Sequence, residues 1–327
     1  MKIGILSFAH MHAYSYAACL KQIEGVTLAG IAESNRALGE KLAKRYRTRH
    51  YRRYRDLLAT DVDAVIITSE NARHRDMTLA AAAAGKHVLC EKPMATTREE
   101  ALAMAAACEQ HGVKFQMAFP CRFSTPMRRA KEYMDSGALG EIYAINGTNH
   151  GKMPGGWFIN PKLAGGGAVM DHTVHVVDLM RWMMNAEVTK VYAEADTKFH
   201  NLRVDDCGLL AMEFDNGVFA SLDPSWSRPQ SFPTWGDVTM EIVAEKGTVF
   251  LDAFRQMITV YADSGRGHYL TYWGDGMDLE MVKHFVACVR DGQTPTASAI
   301  DGLRALEVTL AAYRSIQKGT AIRLNEK

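Results

Sequence analysis

Short apolar runs, each separated from the next by a helix-length segment, occupy the first 118 residues and leave few folds open to the chain. Lys2 to Leu6, Val26 to Ala32, Ala64 to Thr68, His87 to Cys90 and Lys114 to Ala118 read as strands. The segment running to about Ile23, then Asn35 to Tyr46, Arg73 to Ala84 and Thr97 to His111 read as helices. The last opens on Thr96-Thr97 as caps, with Glu99 and Glu100 in its first turn. Strands that are apolar on both faces and joined by helices are parallel and covered on both sides. The expected fold class is therefore α/β, with an N-terminal Rossmann-type doubly wound parallel sheet.

The second half changes pattern. Phe123 to Ser136 reads as a helix and Ile142 to Asn146 as a strand. Gly165-Gly166-Gly167 leads into an apolar helix, and strands follow at Lys190 to Asp196, Leu209 to Phe214, Val218 to Asp223, Val238 to Ala244, Thr248 to Asp252 and Ile258 to Tyr261. Asp215-Asn216-Gly217 and Glu245-Lys246-Gly247 are hairpin turns. An antiparallel meander is expected, giving a C-terminal α+β domain with a large, mainly antiparallel open sheet, closed by helices at Met281 to Arg290 and Gly302 to Lys318. With 327 residues, two domains are expected, 1–122 and 123–327. The open sheet face has more apolar strand than one helix layer covers, so a homodimer or homotetramer is expected.

Composition excludes whole classes of function. A net charge of +1 argues against nucleic-acid binding and membrane steering. Lys41 to Arg55 packs eight Lys or Arg into fifteen positions, but no aromatic platform accompanies them, and the stretch reads as a solvated helix face and loop. No long apolar run or signal peptide is present, and the six cysteines are dispersed without a CxxC pair, so a reduced, cytoplasmic protein with no structural zinc is expected.

Candidate chemistry sits at strand ends and on the apolar helix. His87 to Cys90 delivers Glu91-Lys92-Pro93 at the end of a strand where open α/β sheets bind ligands; the bland alternative for Lys92 is an exposed loop lysine. The turn Ser7-Phe8-Ala9-His10-Met11-His12 stands where a dinucleotide's phosphates bind, and Glu33, ending the second strand, is placed for ribose hydroxyls. The fingerprint glycines are replaced by Ser7, Ala9 and His12, and a bulky His12 is expected to push the first helix outward or turn its ring away. Asp171, His175 and Asp178 share one helix face by their spacing, which suits either general-base work or a structural buried pair. Metal binding by His10 and His12, or by Asp171, His172 and His175, ranks below acid–base chemistry. Between Asp223 and Asp237, Trp226 and Trp235 are read as able to stack on a sugar or to pack on the sheet.

Ala84 to Pro93, and Gly165-Gly166-Gly167 through Asp171, His175 and Asp178, resemble the two signature segments of the Gfo/Idh/MocA family of nicotinamide-dependent oxidoreductases of sugars and cyclitols. Trp157-Phe158, Gly137 to Ile142 and Ala305-Leu306-Glu307 extend the resemblance over nearly the whole chain. The resemblance implies Lys92, Asp171 and His175 as catalytic residues. It implies NAD, with NADP possible, held by Ser7, Phe8, Ala9, His10, Met11, Glu33, Asn71, His74, Glu91 and Lys92. A small polyol substrate would meet Lys92, Arg122, Trp157, Asp171, His172 and His175, with no metal. Redox-assisted elimination or hydrolysis without net oxidation, and a non-catalytic sensor, are the alternatives within the family; a metal-dependent hydrolase is the alternative outside it.

Overall fold

The computed structural model describes residues 1–255, 257–261, 268–272 and 276–324. In chain order the elements are β1 (Lys2–Leu6), α1 (His12–Leu20), β2 (Thr27–Ala32), α2 (Arg36–Tyr46), β3 (Arg49–Tyr51), α3 (Tyr54–Leu58), β4 (Ala64–Ile67), α4 (His74–Ala83), β5 (His87–Cys90), α5 (Arg98–Gln110) and β6 (Phe115–Met117). They continue with α6 (Thr125–Asp135), β7 (Ile142–Thr148), α7 (Pro161–Ala164), α8 (Ala168–Met184), β8 (Val188–Asp196), β9 (Cys207–Phe214), β10 (Phe219–Asp223), β11 (Thr239–Ala244) and β12 (Gly247–Asp252). Last come β13 (Met257–Tyr261), β14 (His268–Tyr272), α9 (Met277–Arg290), α10 (Ala299–Lys318) and β15 (Ile322–Arg323). The chain divides into two compact units, neither continuous in sequence. Unit 1 holds Met1–Phe119, Gly156–Gly166 and Asp278–Glu307, so two of its stretches lie beyond the expected boundary at 122; unit 2 holds the remainder.

Unit 1 is built on a six-stranded parallel sheet in the order β3-β2-β1-β4-β5-β6. Ala32, Leu6, Ile67, Cys90 and Met117 align across it. The residues that follow, Ser7, Glu33, Thr68 and Glu91, therefore emerge together at the carboxyl edge. The order reverses between β1 and β4, where such sheets open a ligand crevice. The caps follow local chemistry: Asn35 accepts from Leu38 N to start α2, and Thr97, not Thr96, accepts from Glu100 N to start α5. Two elements depart from expectation. The basic stretch ends in the edge strand β3 and the start of α3 rather than in loop, because an edge strand exposed on one side keeps polar residues. Helix α1 stops at Leu20 rather than near Ile23.

Unit 2 carries a seven-stranded sheet in the order β12-β11-β7-β10-β9-β8-β15. It is mainly antiparallel but not a meander: β7 inserts between β10 and β11 and runs parallel to β10. The hairpin turns specify β9–β10 and β11–β12 as neighbours, as found, but say nothing about which distant strand fills the gap. Strand β13 pairs with β14 in a separate two-stranded sheet, which also removes it from the expected meander. Helix α8 packs on one sheet face and comes close at two glycines: an added Cβ would lie 2.7 Å from Val176 and 2.9 Å from Met180 at Gly147, and 2.7 Å from Val169 at Gly208.

Almost every side chain of α8 is buried, so its first backbone N–H groups need protein acceptors. Asp205 supplies them: its carboxylate accepts from Gly167 N and Val169 N, and its carbonyl from Ala168 N. The Tyr313 hydroxyl accepts from Gly167 N and Met170 N while donating to Asp205. This approach requires glycine at 167, where a Cβ would lie 1.9 Å from the Asp205 carbonyl oxygen. Further along α8, Asp178 is met by Arg122 in a buried two-point ion pair of 2.6 and 2.7 Å, with the guanidinium also over the Trp182 ring.

Breaking that pair strands a buried charge. Arg122→Met or Asp178→Leu alone is expected to lower urea stability by about 3–5 kcal/mol, and the double variant to recover most of it. Single variants within 1 kcal/mol of wild type would show that the pair is not buried as described.

Candidate functional site

The turn after β1 is held by its own neighbours. Ser7 adopts a left-handed φ of 74°, the conformation for which glycine is usual at this place. Its N–H donates to Ala32 O, its carbonyl accepts from Thr68 Oγ1, and its hydroxyl accepts from Ala9 N. The Glu33 carboxylate accepts from Phe8 N at 3.0 Å and from Asn35 N at 2.9 Å. His10 N donates to Thr68 O and His12 N to His10 Nδ1. Several N–H groups expected to face phosphates thus already have internal acceptors. Met11 is the helix N-cap residue and is exposed.

One carboxylate gathers the groups at this edge. Glu91 is fully buried, and its Oε1 accepts from His12 Nδ1 at 2.9 Å and from Tyr16 OH at 2.5 Å. Its Oε2 accepts from Lys92 N and lies 4.0 Å from His10 Nε2. Burial alone would raise the Glu91 carboxyl, but the neighbouring His10 and His12, the His12 hydrogen bond and Lys92 outweigh it and hold the group well below the usual carboxylate range. Burial opposes protonation of His12, yet Glu91 prevails and its imidazole is raised. Tyr16 is pushed well above its ordinary value by burial and by Glu91. The His12 ring therefore does turn aside, toward the end of β5. Lys92 is buried, not an exposed loop lysine.

His10, His12 and Glu91 offer ligand atoms within 4.8 Å of one another, a spacing a metal ion could bridge. The tautomer opposes it. His12 N–H donates to His10 Nδ1, which places the ring proton on Nε2, the nitrogen that would have to bind the ion. His12 and Tyr16 donate to Glu91, with His10 beside it, so the turn after β1, α1 and the end of β5 are joined through one carboxylate.

The other candidates of unit 1 divide by what they touch. His74 is buried, with its ring nitrogens facing Pro93 O and Ser69 O, and burial lowers its pKa; it ties the loop after β5 to the end of β4. Asn71 donates to Ala164 O, while its Oδ1 makes no hydrogen bond among the described residues. Trp157 stacks on Phe158 at 3.9 Å and donates from Nε1 to Ala9 O, which puts it against the turn after β1 and near the His10 ring.

Unit 2 holds Asp171, His172 and His175, all buried on α8. Asp171 Oδ2 accepts from Trp226 Nε1 at 3.2 Å and lies 3.2 Å from His172 Nε2. His172 is fully enclosed, with Nδ1 on Asn149 O at 2.7 Å. The shared face divides, because Asp178 is taken by Arg122 while Asp171 meets Trp226 and His172. Sequence reading missed Tyr16, Trp226 as a partner of Asp171, and Asp205. Only Tyr16 carried a local signal, four residues after His12 on one helix face.

Residues 1–119 match the GFO/IDH/MocA oxidoreductase family, NAD-binding Rossmann fold, and residues 127–250 match a GFO/IDH/MocA C-terminal domain. The chain is 27% identical to scyllo-inositol 2-dehydrogenase (NAD(+)) of Bacillus subtilis strain 168, over 100% of this chain and 97% of that protein. It is 30% identical to D-xylose 1-dehydrogenase (NADP(+)) 2 of Haloferax volcanii, over 84% of this chain and 85% of that protein. Among solved structures, GenD2 from gentamicin A biosynthesis in complex with NAD superposes with a TM-score of 0.90 at 26% identity, covering 99% of this chain and 96% of that one.

The Glu91 network gives a pH signature. A depressed Glu91 adds stability above its ordinary 4.5, lost as pH falls through the folded value; a raised His12 adds stability below its ordinary 6.5, lost as pH rises through its folded value. The pair therefore contributes most between those two pH values. In an NMR titration, His12 is expected above 6.5 in the wild type and lower in Glu91→Gln, where burial is less opposed. An unchanged His12 midpoint in that variant would refute the coupling.

Proposed function

We infer the activity from one premise: this chain belongs to the Gfo/Idh/MocA family of NAD-binding oxidoreductases. We propose that it moves a hydride between NAD and a ring hydroxyl of a cyclitol or sugar, the chemistry named for the inositol and xylose dehydrogenases it resembles. The observation that carries most weight is Lys92, a buried lysine at the carboxyl edge of a doubly wound parallel sheet. Few reasons other than function keep an ammonium there.

The residues present suit the dinucleotide. Ser7 holds the left-handed turn that glycine would otherwise provide, Ala9 is small, Glu33 directly follows β2, and Asn71 Oδ1 is a buried acceptor still without a hydrogen bond among the described residues. Ser7 to Met11, Glu33, Asn71 and Glu91 would hold the cofactor, and His74 would support that edge from below. When bound, NAD supplies the nicotinamide carbon that takes the hydride. His175 accepts the hydroxyl proton, Asp171 stabilises the charge that the imidazole gains, and Lys92 orients the hydroxyl and stabilises the developing alkoxide. Trp157 and His172 shape the substrate's surroundings, and Arg122 acts through Asp178. No described helix is long and apolar enough to cross a membrane, and all six cysteines are free thiols, which supports a cytoplasmic setting.

A second copy of the chain would cover the outer face of the unit 2 sheet. That face exposes Tyr192, Leu209, Phe219 and Phe250, the last to 77%.

Lys92→Met and His175→Ala are expected to lower kcat on an inositol and pentose panel by roughly 10²–10⁴-fold, while calorimetry shows NAD binding retained. Near-wild-type kcat in either variant would remove the catalytic assignment. Light scattering is expected to give a dimer or tetramer, and Phe250→Glu with Leu209→Glu to shift it toward monomer; a wild-type monomer at micromolar concentration would refute the covered face.

A further inference from the structure

We propose that Trp226 is a positioning residue for Asp171, its buried indole N–H fixing the carboxylate that the proposed reaction uses. The inference rests on the reading of Asp171 and His175 as reacting groups. Trp226 is 1% exposed, and its backbone N–H donates to Asp206 O at 2.8 Å, so both ends of the residue are held. Its Nε1 donates to Asp171 Oδ2 at 3.2 Å. His172 Nε2 stands at the same distance from that oxygen, but it is not an equivalent donor. Asn149 O only accepts, so the Nδ1 that faces it carries the His172 proton, and a neutral His172 turns a lone pair toward Asp171. Indole N–H can only donate. Trp226 thus stabilises the ionised carboxylate whatever the charge on His172. Other ionisable groups of unit 2 near this turn include His175 on α8, Asp205 and Tyr313 at its N-terminus, and Asp206, whose carbonyl accepts from Trp226 N.

The loop carrying Trp226 is locked by a charged cluster that no catalytic assignment uses. Residues 149–151 pair on both sides: Gly151 N donates to Ser225 O, Arg228 N to Gly151 O, and Asp237 N to His150 O. At the centre, Asp237 accepts from Thr148 Oγ1, His150 N and the Arg228 guanidinium. The His150 ring lies between carboxylates, 3.0 Å from Asp223 and 3.3 Å from Asp237. Hydrogen bonds to Asp223 and then Asp237 push His150 up to about 9, so the lock is charged at neutral pH. Trp235 from the same loop meets the His172 ring edge-on at 5.3 Å, which fixes the second neighbour of Asp171 as well. A loop this long with three prolines would otherwise be a poor platform for a single hydrogen bond.

The test removes the N–H and keeps the ring. Trp226→Phe is the first variant; replacement of Trp226 by 3-benzothienylalanine, a near-isostere without the N–H, carries the measurement if the phenylalanine variant does not fold. In protein labelled with ¹³C at aspartate, with the Asp171 signal assigned by its loss in Asp171→Asn, the Asp171 midpoint is expected to rise by about one pH unit. With NAD and whichever polyol of the panel is turned over, kcat should fall roughly tenfold, its acid limb moving up by the same increment and KM staying within about twofold. An unmoved Asp171 midpoint overturns the inference. Full kcat in Asp171→Asn would instead overturn the catalytic reading; loss of kcat there with unmoved Trp226 variants defeats the positioning role alone.

Discussion

Closing the N-terminus of a helix that has no access to water is the constraint on which unit 2 depends. Helix α8 is buried on nearly all sides, so its leading N–H groups would each cost free energy comparable to a lost hydrogen bond. Asp205 and Tyr313 accept from residues 167–170 between them. Burial raises the Asp205 carboxyl, opposed by its hydrogen bonds with Val169 N and Tyr313. The helix terminus favours anions in the first turn, and Asp171 stands there. Only with its end satisfied can α8 carry Asp171, His175 and Asp178 into the interior.

The two units handle buried charge by different means. In unit 1 one carboxylate, Glu91, draws donors from α1 and from the backbone of the next residue, so a single anion organises the sheet edge. In unit 2 the charges are separated by role. Arg122 and Asp178 neutralise each other through a planar two-point contact, whereas Asp171 accepts from the neutral indole N–H of Trp226. A carboxylate bound bidentately to a guanidinium is a poor participant in proton chemistry; one held by an indole N–H keeps its capacity to respond.

Legibility in the sequence followed the range of the interaction. Strands β1, β4 and β5 were readable to within a residue, because burial on both faces leaves unbroken apolar runs. Lys92 was readable too, since strand, lysine and proline are adjacent. Strand β3 was not: three residues at a sheet edge inside a basic stretch leave no apolar period. The insertion of β7 was not, because hairpin chemistry fixes neighbours and not the long connections between them. The Arg122–Asp178 pair spans 56 positions and the His12–Glu91 contact 79, distances over which one sequence carries no pairing signal. The double role of the helix face at 171, 175 and 178 could be settled only by finding where Arg122 goes.

The discontinuity of the units has a consequence for the order in which a ribosome makes the chain. The unit 1 sheet is complete by Met117, yet Gln116 donates to Met281 O, Met117 N to Ala297 O, and Gly302 closes against the Met117 side chain. The α8 cap waits for Tyr313, and the β8 edge for Ile322 and Arg323. Neither unit can reach its final packing until residues 278–323 have been made. Vectorial synthesis therefore yields first a parallel sheet with an unfinished β6 flank and then a mixed sheet with an open side, the first completed by Asp278–Glu307 and the second by Val308–Lys327.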